Sequence, residues 1–241
     1  MYDKLFTEVC GMFNLFHFIT IILFFVLLTL ALLLSRRITA LQVQKFLRWS
    51  AVWITILEIV KIMIRIQQGQ GPDSWVPLYF CSLFIFAVWL SVLPKAGFRR
   101  AGYAYITMGG ITASVFFTFY PSTSLGMYPL LHLSTFHSFF FHLLMCYLGI
   151  LLLWKGGYAP KPKDGWYYFL FIFTACIPAV ILNETIGTNC MFLRHPFNLP
   201  LLQPLLEASK PIYMVVVFLA QSVALFWVDF GLFRLLNKGK Q

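Results

Sequence analysis

Runs of about 20 apolar residues recur along this chain, and no other feature narrows its fold as far. The hydrocarbon core of a bilayer needs about 20 mostly apolar residues per crossing helix. Stretches of that kind fall near 14–35, 46–67, 75–94, 102–119, 131–154, 167–185 and 209–235. Only 11% of the 241 residues are charged, where a soluble domain carries roughly 25%, and 60% are hydrophobic. The mean hydropathy is +0.81. A water-facing surface cannot be covered with so few charges. The expected fold is an all-α membrane protein, a bundle of about seven transmembrane helices forming one domain over residues 1–241. The location it implies is multi-pass in a membrane.

The first stretch does not read as a cleavable signal peptide: its apolar run is too long, it lacks a small-residue cleavage site, and it ends in Arg36 and Arg37. Orientation follows from lysine and arginine near the helix ends. Arg36, Arg37, Lys45, Arg48, Lys95, Arg99, Arg100, Lys155, Lys161, Lys163, Arg234, Lys238 and Lys240 fall on one side, and only Lys4, Arg65, Arg194 and Lys210 on the other. The N-terminus is therefore expected outside and the C-terminus in the cytoplasm. The net charge of +10 is then mainly a topology signal, with anionic lipid headgroups as counter-charge. Nothing in it calls for nucleic acid.

Cys10, Cys81, Cys146, Cys176 and Cys190 show no CxxC spacing, so neither a disulfide framework nor a zinc site is indicated. Two outer connections, 120–130 and 186–208, are rich in proline yet apolar. Proline breaks a continuous helix, and apolarity disfavours a free aqueous loop. These segments are expected to lie in the interface or dip back into the bundle, as a candidate lid over a lipid-accessible cavity or as plain packing. Gly109, Gly110, Ala113 and Ser114 are small enough to permit close helix contact.

Ionisable groups inside a membrane cost at least a few kcal/mol, so each needs a partner or a task. Glu58, Lys61 and Arg65 share one helix face by spacing, and an ion pair between Glu58 and Lys61 is the least costly arrangement. His132, His137 and His142 recur in steps of five, about 140° apart on a helix, which argues against a metal pair or haem; no cofactor and no metal are expected. Counting from the basic inner boundary at about 1.5 Å per residue puts Cys81, His142 and Lys61 at one level, with Glu58 about one turn deeper. A thiol, an imidazole and an ion pair in one layer make a candidate covalent site, with His142 as base for Cys81. The alternative is a core thiol and a histidine bonded to a neighbouring helix.

At these residues the chain resembles a known group, the YwaF-like bacterial integral membrane proteins and their eukaryotic relative, transmembrane protein 164. The resemblance runs from about Glu58 to Asn189. It is clearest in Pro77-Leu78-Tyr79-Phe80-Cys81-Ser82 and in Leu152-Leu153-Trp154-Lys155-Gly156-Gly157-Tyr158-Ala159-Pro160. It implies a bacterial cell membrane and a phospholipid acyltransferase that forms an acyl-cysteine before passing the chain to a lysolipid. The family's cysteine falls at Cys81, and its histidine, preceding the Leu-Leu-Trp-Lys-Gly-Gly run, at His142. The chain departs from the eukaryotic pattern at Tyr79-Phe80 and Ser82, and from the bacterial one at Tyr79 and Cys190, which leaves the oxyanion donors and acyl specificity open.

The leading expectation is thus a membrane-embedded cysteine-dependent acyltransferase acting between phospholipid and lysophospholipid, or a related lipid hydrolase, with Cys81 and His142 catalytic. Glu58, Lys61, Tyr79, His137, Asn183 and Asn189 are its supporting polar residues. The alternative from another class is an ion or solute transporter using the Glu58, Lys61 and His142 layer, although no internal repeat of the transporter kind is visible. A retinal protein is disfavoured because the last stretch has no interior lysine.

Overall fold

Where no water reaches, backbone N–H and C=O groups must be satisfied inside the protein. The computed structural model, which describes residues 2–196 and 199–238, meets that demand with helices and, among the described residues, no strand. Residues 197 and 198 of the outer segment, and Lys240, lie outside the described residues.

The first long helix, α1, is Leu15–Leu34, started by the Asn14 side chain accepting from the His17 amide. The second, α2, is Ala40–Gln67, opened by a capping box between Thr39 and Gln42. A short helix, α3, covers Leu83–Val92. The fourth, α4, runs over 96–119 as Ala96–Ala104, a π-helical segment Tyr105–Gly110, and Ile111–Phe119. Then come α5, Leu133–Trp154, and α6, Asp164–Thr185. The last, α7, is Lys210–Leu236, with a π-helical segment at Ala220–Ala224.

Among the described residues four helices are long and apolar enough to cross a bilayer: Leu15–Arg37, Leu133–Trp154, Asp164–Thr185 and Lys210–Leu236. The expected continuous helix at 75–94 is corrected here, because only Leu83–Val92 is helical and 76–82 is extended chain and turn. Pro77 supplies the reason: it has no amide hydrogen to give and it pushes Val76 out of helical geometry. Cys81 consequently sits in the turn that leads into α3, not along a helix.

The centre of the bundle is α4, which packs against α1, α3, α5, α6 and α7. Its π segment is buried throughout. Close approach is what glycine provides at two of these contacts. A Cβ on Gly102 would collide with the backbone of Ala87 and Ser91 in α3, and one on Gly149 of α5 would lie 2.7 Å from the Ile106 carbonyl oxygen of α4. Gly109, Gly110, Ala113 and Ser114 are all buried, Gly109 facing Tyr168 of α6 and Gly110 facing Met145 of α5.

At the basic end, α4 is tied to the start of α6. Arg100 donates to Asp164 through Nε (2.6 Å) and Nη2 (2.7 Å), and Asp164 also accepts from the Tyr158 hydroxyl (3.1 Å) and the Lys161 amide (2.8 Å). The Asp164 carboxylate holds the Arg100 guanidinium above its usual range, while burial pushes the Tyr158 phenol up. The Leu-Leu-Trp-Lys-Gly-Gly-Tyr-Ala-Pro motif therefore ends in a fixed, charge-assisted corner.

Candidate active site

A cavity of about 290 Å³ opens between α2, α5, the 73–82 segment and the outer connections. Glu58, Lys61 and Arg65 reach it from α2; His137, Ser138, Phe141 and His142 from α5; and Asp73, Tyr79, Cys81 and Ser82 from the segment before α3. Thr123, Met127 and Tyr128 of the 120–130 connection and Phe192 of the 186–208 connection complete the wall. The thiol, the imidazole and the ion pair placed at one level by residue counting thus share one enclosure.

His142 is oriented by its own helix. Its Nδ1 lies 2.7 Å from the Ser138 carbonyl oxygen; a carbonyl can only accept, so Nδ1 carries the proton and Nε2 presents a lone pair. That Nε2 is buried and, among the described residues, has no hydrogen-bond partner. The ring is clamped face to face on Phe117 of α4, with centroids 3.7 Å apart and planes 6° from parallel. A fixed imidazole with one unengaged nitrogen is the arrangement a general base needs.

Cys81 is a free thiol, half-buried, in a turn fixed at several points. The Phe84 amide donates to the Cys81 carbonyl (3.0 Å). Tyr105, from the π segment of α4, donates to the carbonyl of Phe80, the residue before the cysteine. The Met191 amide donates to the Leu78 carbonyl (2.9 Å). The turn leads directly into the N-terminal end of α3 and satisfies its first amides: Leu83 donates to the Tyr79 and Phe80 carbonyls (both 3.2 Å) and Ile85 to that of Ser82 (3.1 Å).

Glu58 is the carboxylate that gathers two of the neighbouring basic side chains. Lys61 donates to Glu58 Oε1, and His137 Nε2 stands 3.6 Å from Glu58 Oε2 without forming a hydrogen bond. His137 and His142 line the same cavity in spite of their five-residue offset, because the enclosure spans a wide arc of α5 that also takes in Ser138 and Phe141.

Asn183 and Asn189 are placed elsewhere. The Asn183 side chain accepts from the Cys190 amide (2.7 Å) and donates to its carbonyl (3.0 Å), and that of Asn189 accepts from the amides of Arg194 and His195 (both 3.0 Å). Neither lines the cavity; their amide groups are used up in folding the outer segment. That segment dips into the bundle: Thr188, Asn189, Cys190, Met191 and Leu193 are buried. It is held by Tyr213 donating to the Phe192 carbonyl (2.6 Å) and Gln221 to that of Met191 (2.9 Å). Met191 and Phe192 have φ of 56° and 54°, a left-handed geometry that costs such side chains of order 1 kcal/mol or more. Tyr79 does line the cavity, and donates to Asp73 Oδ1 (3.2 Å), which also accepts from the Asn189 amide (2.5 Å).

Residue reasoning did not single out Tyr105, Phe117, Asp73 or Tyr128. Tyr105 and Phe117 lie on a predicted helix that carries no ionisable motif around them, and only α4's central position brings them to Cys81 and His142. Asp73 and Tyr128 belong to connections whose path no periodicity encodes.

A protein-family model described as the TMEM164 family matches residues 12–228. That is nearly the whole chain, so the chain belongs to this family, a family of membrane proteins with apolar helices. No curated protein and no solved structure gives a significant match.

Proposed function

We propose that this TMEM164-family chain is a membrane-embedded acyltransferase in which Cys81 carries the acyl group and His142 moves the proton. The observation that carries the reading is one cavity lined by both residues, with His142 Nε2 buried, unpartnered and tautomerically fixed. In the first half-reaction Nε2 takes the Cys81 proton, and the thiolate attacks the ester carbonyl carbon of a phospholipid. The tetrahedral intermediate expels the glycerol oxygen, which receives that proton from His142 and leaves as a lysolipid. In the second, a lysolipid hydroxyl gives its proton to Nε2, attacks the thioester and releases the thiolate, which is reprotonated. In this reading Lys61 and Ser82, both on the cavity wall, serve as the oxyanion donors.

The reading includes a membrane arrangement in which α2, α3 with its approaching turn, and α4 also cross, making about seven spans with the N-terminus outside. It is supported by the basic residues that recur at one end, between α1 and α2, between α3 and α4, and beyond α5. The outer connections 120–130 and 186–208, which contribute cavity wall, serve in it as the lid.

The test is acyl transfer in liposomes, with isotope-labelled phospholipid and lysolipid followed by mass spectrometry. Cys81→Ala and His142→Ala are expected to lose at least about 100-fold of the wild-type rate while staying folded. A folded Cys81→Ala protein with full activity sinks the proposal. Transfer to water in place of lysolipid makes the protein a hydrolase using the same pair. Solute uptake into proteoliposomes that needs Glu58 but not Cys81 marks a transporter instead.

A further inference from the structure

Next to the cavity, α2 and α5 enclose a second space of about 400 Å³, and Lys61, Arg65 and His137 belong to the walls of both. One part of this groove is apolar, made by Leu57, Val60, Ile64, Phe136 and Phe140; Gln68, Arg65 and His132 mark a polar end. Val60, Phe136 and Phe140 are 45%, 58% and 50% exposed, so the groove opens on the outer surface of the bundle. In a membrane protein such a surface faces lipid.

Arg65 is the unusual member. Lys61 is paired with Glu58, Arg100 with Asp164 and Lys210 with Glu184, but among the described residues no carboxylate pairs with Arg65. Its Nη1 donates to the Ser74 carbonyl, its guanidinium lies 5.8 Å from the Tyr128 ring centroid, and its Nε is buried without a partner. Asp73 lines the same cavity, but its Oδ1 already accepts from Tyr79 and Asn189. A half-buried guanidinium with no carboxylate partner selects an anion that can take two hydrogen bonds, and a phosphodiester does so.

Register fits as well. Arg65 lies four residues beyond Lys61, about 6 Å along α2, and Lys61 lines the same cavity as Cys81. A glycerol backbone bridges such a distance between its phosphate and its acyl esters. We infer that the groove between α2 and α5 is the side entrance for a glycerophospholipid, with its phosphate on Arg65 and an acyl chain along Val60, Ile64, Phe136 and Phe140. This rests on the acyl-transfer reading for its place in a reaction, though not for the binding itself. Arg65 then selects phosphate-bearing acyl donors over neutral diacylglycerols and sets how far an ester reaches toward Cys81.

The experiment is photo-crosslinking of the full chain in phosphatidylcholine nanodiscs, with peptide mapping by mass spectrometry. One probe is a phosphatidylcholine with a diazirine in its acyl chain; the other is the matching diacylglycerol. The wild type is expected to be labelled by the phospholipid probe on the groove faces of α2 and α5. Arg65→Gln lowers that labelling at least about ten-fold, and Arg65→Lys retains part of it, which separates loss of charge from loss of fold. Phospholipid labelling that is the same in Arg65→Gln and wild type overturns the inference. So does equal labelling of the wild-type groove by diacylglycerol, and so does suppression by excess inorganic phosphate at constant ionic strength. If no acyl chain is transferred yet Arg65-dependent labelling persists, the acyl-transfer reading fails and the groove stands. If transfer proceeds and labelling ignores Arg65, the groove alone fails.

Discussion

Glu58 and Lys61 show how a single residue's cost depends on its partner. Glu58 is buried and Lys61 nearly so, and each is tolerated because the other cancels its charge. Glu58→Gln leaves the ammonium uncompensated and is expected to cost about 3 kcal/mol. The Glu58→Gln/Lys61→Met double variant should recover most of that loss. Unfolding midpoints in one detergent check the cycle, and strictly additive losses would show that the pair carries no coupling. The same logic separates the two cavity histidines. His142 has its proton placed by Ser138 and its ring clamped by Phe117, whereas His137 stacks more loosely on Phe141 with a carboxylate at 3.6 Å. His137→Gln is therefore expected to reduce acyl transfer by about ten-fold or less, against the 100-fold or larger loss for His142→Ala; equal losses would move the base assignment to His137.

Among elements, α4 does most to shape the site. Its π segment inserts a wider turn at the centre of the bundle, and such turns recur where a helix must re-aim side chains. Tyr105 shows the effect: it donates to the carbonyl before Cys81. Tyr105→Phe keeps the buried ring and removes one hydrogen bond, worth about 1 kcal/mol. It should lower the unfolding midpoint by only about 2 to 4 °C and slow acylation of Cys81 several-fold, read by trapping the thioester. Gly102 tests the contact between α3 and α4. Gly102→Val has no room against the α3 backbone and is expected to cost about 2 kcal/mol or more, seen as a lower midpoint with loss of transfer. At the other end, Asp164→Ala leaves Arg100, Tyr158 and the Lys161 amide without their acceptor. The loss should be about 2 to 3 kcal/mol, discounted from a fully buried pair because Arg100 is partly exposed.

For the molecule as a whole, the exterior is as informative as the interior. Phe18, Ile22, Leu23, Val26 and Leu30 of α1, and Ile212, Val215 and Leu219 of α7, are exposed. A water-soluble protein rarely presents apolar patches of that extent. The surface is matched to lipid, and buried polar groups gather at the cavity, the outer segment and the corner at Asp164, while His17 is held elsewhere by the Thr118 carbonyl and Asp229 by Thr112. In the proposed orientation, a peptide tag ahead of Tyr2 is accessible to an impermeant reagent in intact cells, and a tag after Asn237 only after permeabilisation. The reverse pattern would turn the basic face outward and contradict the inside placement of Arg36, Arg37, Lys155 and Lys163.

Composition and the spacing of charge determined that the chain is helical and built for a membrane, because a hydrocarbon environment permits few backbone solutions and marks every charge as a cost. The same spacing put His142 and Lys61 at one expected level, since rise along a helix is fixed, while the count for Cys81 assumed a helix that Pro77 interrupts. It could not determine their azimuth. Whether residues at one depth face each other depends on which helices are neighbours and how each is rotated, and that is decided by contacts far apart in sequence: Gly102 against Ala87, Phe117 against His142, Tyr105 against Phe80. Counting from helix ends also failed where the chain is not helical. The 75–94 stretch has helix-like hydropathy, yet Pro77 turns its first part into the loop that presents Cys81. Asn183 and Asn189 read as active-site amides in sequence, while in the folded chain the backbone of the outer segment claims them. An expected depth could be counted only along the helices; enclosure came from tertiary packing, because an apolar side chain finds lipid and protein interior equally acceptable and shape alone chooses between them.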